Sequence, residues 1–300
     1  MRRTKRGMRQ PTSAAVPTAF RFFENHEWRQ FNEVVSRQLD AYGFEANFDH
    51  PGEVRLGNGI TLGLLNLAQQ CHAVDESDWA FLVADHLARA NCPEEVPEEI
   101  FDALLALRVL LVPDDYLPPD IPTVRRTFAE SVIATLVVDL PSSVRSVSPS
   151  DFPRWGLSED EAWSHAWENT RSHAEPIDVA EVEIAGAPLV IVHGEHFYTA
   201  SRIPWLEDLI GPCGPHGALV AMPRRSSMLV HRLGDGNSRC AFGPLVLNAR
   251  LIHLEGPRSV SAHIYWWRNG RLRWVPTVFD ETTEEIEFFA PPELEILLDH

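Results

Sequence analysis

Four polar side chains stand where two predicted strands end, and their types suit the recognition of an acidic group. Asp139 and Arg145 flank the turn after a buried apolar run, and Arg224 and Arg225 directly follow a second one. A guanidinium donates parallel N–H bonds that match a carboxylate, and ligands are often held at strand ends. We therefore take Asp139, Arg145, Arg224 and Arg225 as candidate ligand- or partner-binding residues.

Each pair also has a purely structural interpretation, and both interpretations stay open at this point. In the first turn, the hydroxyls of Ser142 and Ser143 can bond the local backbone while Arg145 pairs with Asp139. The two arginines can equally belong to a solvated loop, since connecting segments normally run over the surface.

Linear motifs for metal binding or catalysis are missing from the sequence. His193 and His196 stand close together in VHGEHF, but this is a glycine turn between predicted strands, where the two rings diverge. The sequence contains no H-E-x-x-H, no G-x-S-x-G and no Gly-rich phosphate loop. We predict no metal ion and no cofactor. Enzymatic activity stays an open question, because catalytic groups also assemble from distant segments.

Charge and cysteine content exclude several classes of partner. The 300 residues carry a net charge of −17, which repels phosphate backbones, so we predict no nucleic-acid partner. No apolar run approaches the ~20 residues of a membrane span, and the basic N-terminus lacks the apolar segment of a signal peptide. The cysteines never form C-x-x-C, which favours reduced thiols in the cytoplasm; they are Cys71, Cys92, Cys213 and Cys240.

The order of predicted elements indicates an α+β protein. A mainly helical part precedes a mixed, mostly antiparallel sheet against which an aromatic helix packs. The Pro-rich stretch at 112–123 marks the predicted boundary between the two. The predicted divisions are a disordered basic arm at 1–24, a helix-rich part at 25–115, a sheet part at 124–279 and an acidic tail at 280–300.

Local signals define several of these elements. Asn25 and Gly43 are the predicted ends of a first helix, and two or three short antiparallel strands follow it. Apolar residues recur at helical spacing over 96–112, which predicts a helix there. Residues 178–201 suggest three strands separated by two turns, and Asn269-Gly270 predicts a hairpin. The tail carries apolar pairs that can dock on this chain or on a partner.

The segment VVDLPSSVRSVSPSDFPRWGLSEDEAWSHAWENT, Val137 to Thr170, predicts a buried strand, a turn, a second strand and a helix. Ser158 and Glu161 form the S-x-x-E pattern of a capping box. Trp163, Ala166 and Trp167 then fall on one helical face. Two tryptophans bury about 150–250 Å² each, so we interpret this face as core and not as a cofactor site.

This segment also resembles the strand, D-x-P-x-S-x-R-x-V and helix block of the YtpQ-like family, bacterial proteins of uncharacterised function. YTASRIPWLEDLI and ALVAMPRRSSMLV are similar to the next two blocks of that family. The third block is expected near Pro-Ser-Arg-Asp, so Arg225 matches, whereas Arg224 and Ser226 depart from it. The resemblance covers 25–275 and is strongest over 130–232. It implies a cytoplasmic α+β protein and supplies no activity.

Two functions from different classes remain open on the sequence alone. The first is a non-enzymatic binding or regulatory module that acts in the cytoplasm through a protein partner, as the adjacent arginines and the apolar tail suggest. The second is a hydrolase-type enzyme with its site between the helical part and the sheet. A pocket with two convergent titratable groups favours the enzyme, and an apolar surface patch favours the partner.

Overall fold

A computed structural model of the chain describes residues 15–17, 20–48, 52–57, 61–91, 100–117, 121–141, 143–234, 238–280, 283 and 285–298. It divides into two compact units, Met1–Glu94 with Glu255–Pro257, and Glu95–Leu254 with Arg258–His300. The division falls at Glu94, before the Pro-rich stretch at 112–123 that was predicted as a boundary. Within the described residues, no helix combines the length and the apolar character that crossing a bilayer requires.

The described residues of the first unit form three helices and one small sheet. Its elements are α1 (Asn25–Ala41), β1 (Ala46–Asn47), β2 (Glu53–Leu56), β3 (Thr61–Gly63), α2 (Leu65–His72) and α3 (Trp79–Asn91), with a 3-10 turn at Glu76–Asp78. The three strands pair antiparallel in the order β1-β2-β3, which confirms the prediction for this stretch. The N-cap of α1 is Glu24 and not Asn25, because Glu24 and Glu27 form a reciprocal capping box.

The predicted disordered arm ends in residues that belong to the core of the first unit. Phe20 and Phe23 are buried, and the Phe20 ring lies 4.7 Å from the ring of Trp28 on α1. Burial of two aromatic rings stabilises this part of the chain, so the predicted disorder does not extend to residue 24. Residues 1–14 and 18–19 of the arm lie outside the described residues.

The second unit is built around two antiparallel sheets. Its strands are β4 (Leu107–Pro113), β5 (Arg125–Ala129), β6 (Val132–Asp139), β7 (Val144–Ser146), β8 (Ile177–Ile184), β9 (Ala187–Gly194), β10 (Ala218–Arg224), β11 (Ser227–Arg232), β12 (Ile264–Arg268), β13 (Arg271–Val275), β14 (Thr277–Phe279) and β15 (Ile286–Phe288). Six of them form a sheet in the order β13-β12-β10-β11-β9-β8, with β13 and β8 at its edges. A second sheet has the order β4-β6-β5, with β7 also paired to β6, and β14 and β15 form a separate hairpin.

Helices connect and cover these strands. They are α4 (Ile100–Ala106), α5 (Asp151–Trp155), α6 (Glu159–Arg171), α7 (Leu206–Ile210), α8 (Ser238–Glu255) and α9 (Pro292–Leu298), with a 3-10 helix at Ala200–Trp205. The α+β class predicted from the sequence is confirmed.

The capped aromatic helix predicted in the segment Val137 to Thr170 forms as expected and contributes to the main core. Ser158 Oγ accepts the backbone N–H of Glu161, and the Glu161 side chain accepts that of Ser158, so the capping box forms. Trp163 and Ala166 are buried in one cluster with residues of β4, β6, β9 and β10, and Trp167 packs against that cluster. This helical face is therefore core, as the sequence predicted.

Two further predictions are confirmed in the C-terminal region of the chain. Asn269 and Gly270 have φ of 50° and 73°, as a type I′ hairpin turn requires at both central positions, and they join β12 to β13. In the tail, Phe288 stacks on Phe242 with ring centroids 4.1 Å apart, and Leu294 and Leu298 are buried. Part of the predicted apolar tail therefore docks on its own chain.

Two element predictions are wrong, each for a non-local reason. The helix predicted over 96–112 ends at Ala106, and Leu107–Pro113 is a strand buried on both faces and paired with β6. Periodicity alone does not distinguish a short buried strand from a buried helix. The third strand predicted within 178–201 is replaced by a turn at 195–199 and the start of the 3-10 helix, because β8 and β11 already occupy both edges of β9.

Candidate functional site

The first predicted pair, Asp139 and Arg145, is separated by the register between β6 and β7. Arg145 lies directly opposite Val138, so its side chain shares the face of Val138, and Asp139 points to the other face. Arg145 instead donates through Nη2 to Asp151 Oδ1 at 3.3 Å. The expected ion pair between Arg145 and Asp139 is therefore wrong. Ser142, in the same turn, lies outside the described residues.

Asp139 instead accepts a hydrogen bond from a tyrosine that comes much later in the chain. Tyr198 Oη donates to Asp139 Oδ1 at 2.8 Å, and the Tyr198 side chain is fully buried among residues of β4 and β6. Burial raises the pKa of Tyr198 far above its ordinary value, and the Asp139 carboxylate adds to that rise. At neutral pH the phenol therefore keeps its proton and remains a donor to Asp139.

The two adjacent arginines have different environments. Arg224, the last residue of β10, donates through Nε to the carbonyl of Ile252 at 2.9 Å. Arg225 occupies the turn between β10 and β11 and is only 6% exposed, so the solvated loop considered from the sequence is wrong for this residue. Its backbone is held on both sides, since its N–H donates to Arg258 O at 3.0 Å and its carbonyl accepts from Ala200 at 2.9 Å.

The guanidinium of Arg225 is buried without a hydrogen-bond partner at two of its nitrogens, Nε and Nη2. Its Cζ lies 4.6 Å from the centre of the Tyr116 ring, so one flat face of the group is covered by an aromatic side chain. Arg225 also lowers the pKa of Tyr198, against the larger effects of burial and Asp139. The structure thus brings two of the four predicted residues, Asp139 and Arg225, together around Tyr198.

Two histidines that the sequence did not indicate as site residues complete this region. His196 Nδ1 accepts the backbone N–H of Tyr198 at 3.0 Å, and the ring centre of His173 lies 4.7 Å from that of His196. Burial, and after it the charges of His173 and Arg202, lower the pKa of His196 to about 4. We call Asp139, His173, His196, Tyr198 and Arg225 the Tyr198 cluster.

The proton on His196 has a defined position. At neutral pH the ring is uncharged, and Nδ1 uses its lone pair to accept from Tyr198, so the single ring proton is on Nε2. This Nε2–H is buried and has no acceptor. Gly194 lies beside it, and a Cβ there would stand 3.3 Å from Nε2 and would collide with Thr199 Oγ1. Only glycine fits at this position without a shift of its neighbours.

His173, Glu175 and His196 form a group with the residue types of a zinc site, and their ligand atoms lie within 4.8 Å of one another. Zinc binds nitrogen and oxygen at about 2.0–2.2 Å, so two ligands of one ion stand at most about 4.3 Å apart. A separation of up to 4.8 Å does not meet that requirement by itself. The proton on His196 Nε2 also occupies the position that the ion would take, whereas a ligating histidine normally donates from its other nitrogen. The arrangement does not fit a zinc ion as it stands.

A second buried histidine, His231 on β11, has both nitrogens bonded. Nδ1 lies 2.8 Å from Pro188 O and Nε2 lies 3.2 Å from Ser238 Oγ, so the ring donates to the carbonyl and accepts from the hydroxyl. We call Pro188, His231 and Ser238 the His231 cluster. It has the elements of a serine nucleophile with its base, but His231 is 0% and Ser238 2% exposed. Its hydrogen bonds are complete within the chain, which is the character of a structural core group.

Open clefts also lie along α1 in the first unit. One of about 590 Å³ is lined by Val16, Phe23 and several polar residues, among them Arg21, His26 and Arg29. Most of these side chains are partly or fully exposed. Among the residues that line this cleft, no buried side-chain donor or acceptor lacks a hydrogen-bond partner. The unsatisfied polar atoms of the Tyr198 cluster make it the stronger candidate.

Comparisons with known proteins add no relative to this description. No protein-family model matches the chain, and no curated protein and no solved structure matches it either. The resemblance to the YtpQ-like family therefore stays a prediction, and the Tyr198 cluster is the basis on which a function can be proposed.

Proposed function

We propose that this chain is a non-enzymatic binding module of the cytoplasm that acts through a protein partner, and that Arg225 receives an acidic group of that partner. The observation that carries the proposal is the buried guanidinium whose Nε and Nη2 have no hydrogen-bond partner. Among the described residues, no carboxylate forms an ion pair with it. Arginine stays charged in proteins, so this is a buried cation without a counter-ion.

Energetics support an incoming anion at this position. A buried donor without an acceptor costs about 1–3 kcal/mol, and more when the group is charged. Stacking on Tyr116 at 4.6 Å offsets a part of this cost but leaves both N–H groups unsatisfied. A negatively charged group from outside the chain pairs with these donors and removes the penalty. The free energy recovered in this way favours its binding.

The cellular setting of the proposal has independent support. Cys71, Cys213 and Cys240 are free thiols, as expected in a reducing compartment. The net charge of −17 opposes nucleic acid as the partner and leaves a protein segment as the more favourable one. The hydrolase alternative needs a nucleophile and base that a substrate can reach, and the His231 cluster is closed at both residues.

A co-purification experiment with matched variants tests the proposal. The wild-type chain, Arg225→Gln and Arg224→Gln are each used as bait in the native extract, after circular dichroism has shown that all three are folded. We expect a protein that the wild type and Arg224→Gln retain and that Arg225→Gln loses. Equal recovery with all three baits, or no co-purifying protein with the wild type, contradicts the proposal.

A further inference from the structure

The two unpaired nitrogens of Arg225 belong to the same edge of the guanidinium. In this planar group, Nε–H and Nη2–H point in the same direction, side by side, and both are buried without a partner. A carboxylate presents two oxygens in one plane at a spacing that accepts two parallel N–H bonds. A single carboxylate therefore satisfies both donors at once, whereas a single carbonyl or hydroxyl oxygen satisfies only one.

From this geometry we propose that Arg225 is a bidentate carboxylate site, which takes the side chain of an aspartate or glutamate of the partner edge-on. The inference rests on the proposed function and names the group that the same site recognises. The turn that carries Arg225 is held in place before binding, because Arg258 O and Ala200 N fix its backbone. Pre-organisation of this kind lowers the entropy lost on binding.

The charges around the site favour a single negative charge over a double one. One guanidinium balances one carboxylate. The Asp139 carboxylate lies in the same neighbourhood, since Asp139 and Arg225 both act on the pKa of Tyr198. Its own hydrogen bond from Tyr198 does not remove its charge. A phosphate, which carries ~1.5–2 negative charges at neutral pH, meets this repulsion more strongly than a carboxylate does.

Entry of the carboxylate requires that the buried guanidinium becomes accessible. Arg225 is 6% exposed, whereas Tyr116, which stacks on it, is 42% exposed and lies in a turn after β4. An exposed side chain in a turn moves without disturbing the core, so displacement of Tyr116 uncovers the flat face of the guanidinium and lets the group turn its Nε and Nη2 edge towards the partner. The partner then restores the lost contact by bonding the guanidinium directly.

The test uses three blocked tripeptides whose central residue is glutamate, glutamine or phosphoserine, together with free acetate. Binding to the full chain is followed by the NMR signal of the Arg225 Nε–H and by calorimetry. In the wild type we expect the glutamate peptide to shift this signal, the glutamine peptide to leave it unchanged and the phosphoserine peptide to bind more weakly. If acetate shifts the signal as much as the glutamate peptide does, the site accepts any free carboxylate. That result contradicts the proposal that the carboxylate belongs to a protein partner.

Two variants separate the charge of Arg225 from its shape. Arg225→Lys keeps the charge but loses the paired donors, and Arg225→Gln loses both. We expect at least a ten-fold weaker affinity for the glutamate peptide in Arg225→Lys, about 1.4 kcal/mol, and a similar or greater loss in Arg225→Gln. Wild-type affinity in Arg225→Lys, tighter binding of phosphoserine, or no peptide binding by the wild type overturns the carboxylate site. If the carboxylate site fails one of these tests but Arg225→Lys retains the partner protein that Arg225→Gln loses, the proposed function stands and only the bidentate carboxylate site is rejected.

Discussion

The His231 cluster and the Tyr198 cluster are both buried polar groups of the second unit, and they differ in whether their hydrogen bonds are complete. In the first, both nitrogens of the histidine have partners within the chain. In the second, His196 Nε2 and two nitrogens of Arg225 have none. A complete polar group stabilises the fold, whereas an incomplete one weakens it and leaves donors for a group from outside. Both clusters contain a histidine, so residue type does not distinguish them. What distinguishes a structural site from a binding site here is whether its buried donors and acceptors have partners within the chain.

The largest expected effect is the loss of a partner inside the complete cluster. His231→Leu is close in size, but it leaves the buried Ser238 hydroxyl without a partner and removes the donor to Pro188 O, so we expect a loss of about 4 kcal/mol in the free energy of unfolding. Urea denaturation measures it. The control Ser238→Ala leaves only His231 Nε2 unpaired and should lose about half as much. A loss below ~1 kcal/mol for His231→Leu contradicts the assignment of this cluster as structural.

The next effect is the pH dependence that His196 imposes on stability. Its folded-state pKa of about 4 lies below the ordinary value of 6.5, so the unfolded chain binds the proton more tightly. The contribution is fully present above pH 6.5, decreases as the pH falls and is lost through pH 4, with a total on the order of 3 kcal/mol. The pKa of His173 is also lowered, mainly by burial, and acts in the same direction.

His196→Asn is the matched control for this pH dependence. Its side-chain oxygen can accept from Tyr198 N–H as Nδ1 does, but it does not titrate in this range. Unfolding free energies measured between pH 7 and pH 4 should therefore fall less steeply for the variant than for the wild type. Parallel curves would show that His196 is not buried in its neutral form.

A smaller loss in the free energy of unfolding is expected for the hydrogen bond between Tyr198 and Asp139, because Tyr198 is more deeply buried than Asp139. Tyr198→Phe removes the hydroxyl that donates to Asp139, whose carboxylate is partly exposed and can turn to water. We expect a loss of about 1.5 kcal/mol by thermal or urea unfolding. A loss as large as that of His231→Leu would place this bond among the complete structural groups and weaken the contrast.

The smallest effect, and the one with the opposite sign, is expected at Arg225. Arg225→Met keeps the length of the side chain and removes a buried cation that has no counter-ion among the described residues, so the free energy of unfolding should be unchanged or should rise by up to about 1 kcal/mol. Arg224→Met, next to it, removes a bond to Ile252 O and should destabilise. A clear destabilisation by Arg225→Met alone contradicts the view that its donors are unsatisfied.

The sequence predicted those features whose cause lies within a few residues. The capping box of α6 needs Ser158 and Glu161, and the hairpin of β12 and β13 needs only Asn269-Gly270. Strand register is different, because it depends on the partner strand. Arg145 pairs with Val138 and not with Asp139, so Asp139 and Arg145 lie on opposite faces of the sheet. No signal within the turn indicates this register.

The candidate site was predicted only in part for the same reason. Arg225 was selected for its residue type and its position at a strand end, and the structure adds that residues near 200 and 258 close over its backbone. His173 follows α6 with no motif around it, and it joins the cluster only because β8 and β9 pair beside it. His196, two residues before Tyr198, was weighed in the sequence together with His193, but His193 is exposed on β9.

The outer strand of the large sheet also bears on the behaviour of the protein in concentrated solution. β8 forms one edge of that sheet, and its Asp178, Glu181 and Glu183 are exposed. A strand from another molecule that extended this edge would place its own acidic copies beside them, so self-association through the edge is opposed by like-charge repulsion. Replacement of all three by the neutral amides, Asp178→Asn, Glu181→Gln and Glu183→Gln, removes that protection and should lower the protein concentration at which turbidity begins.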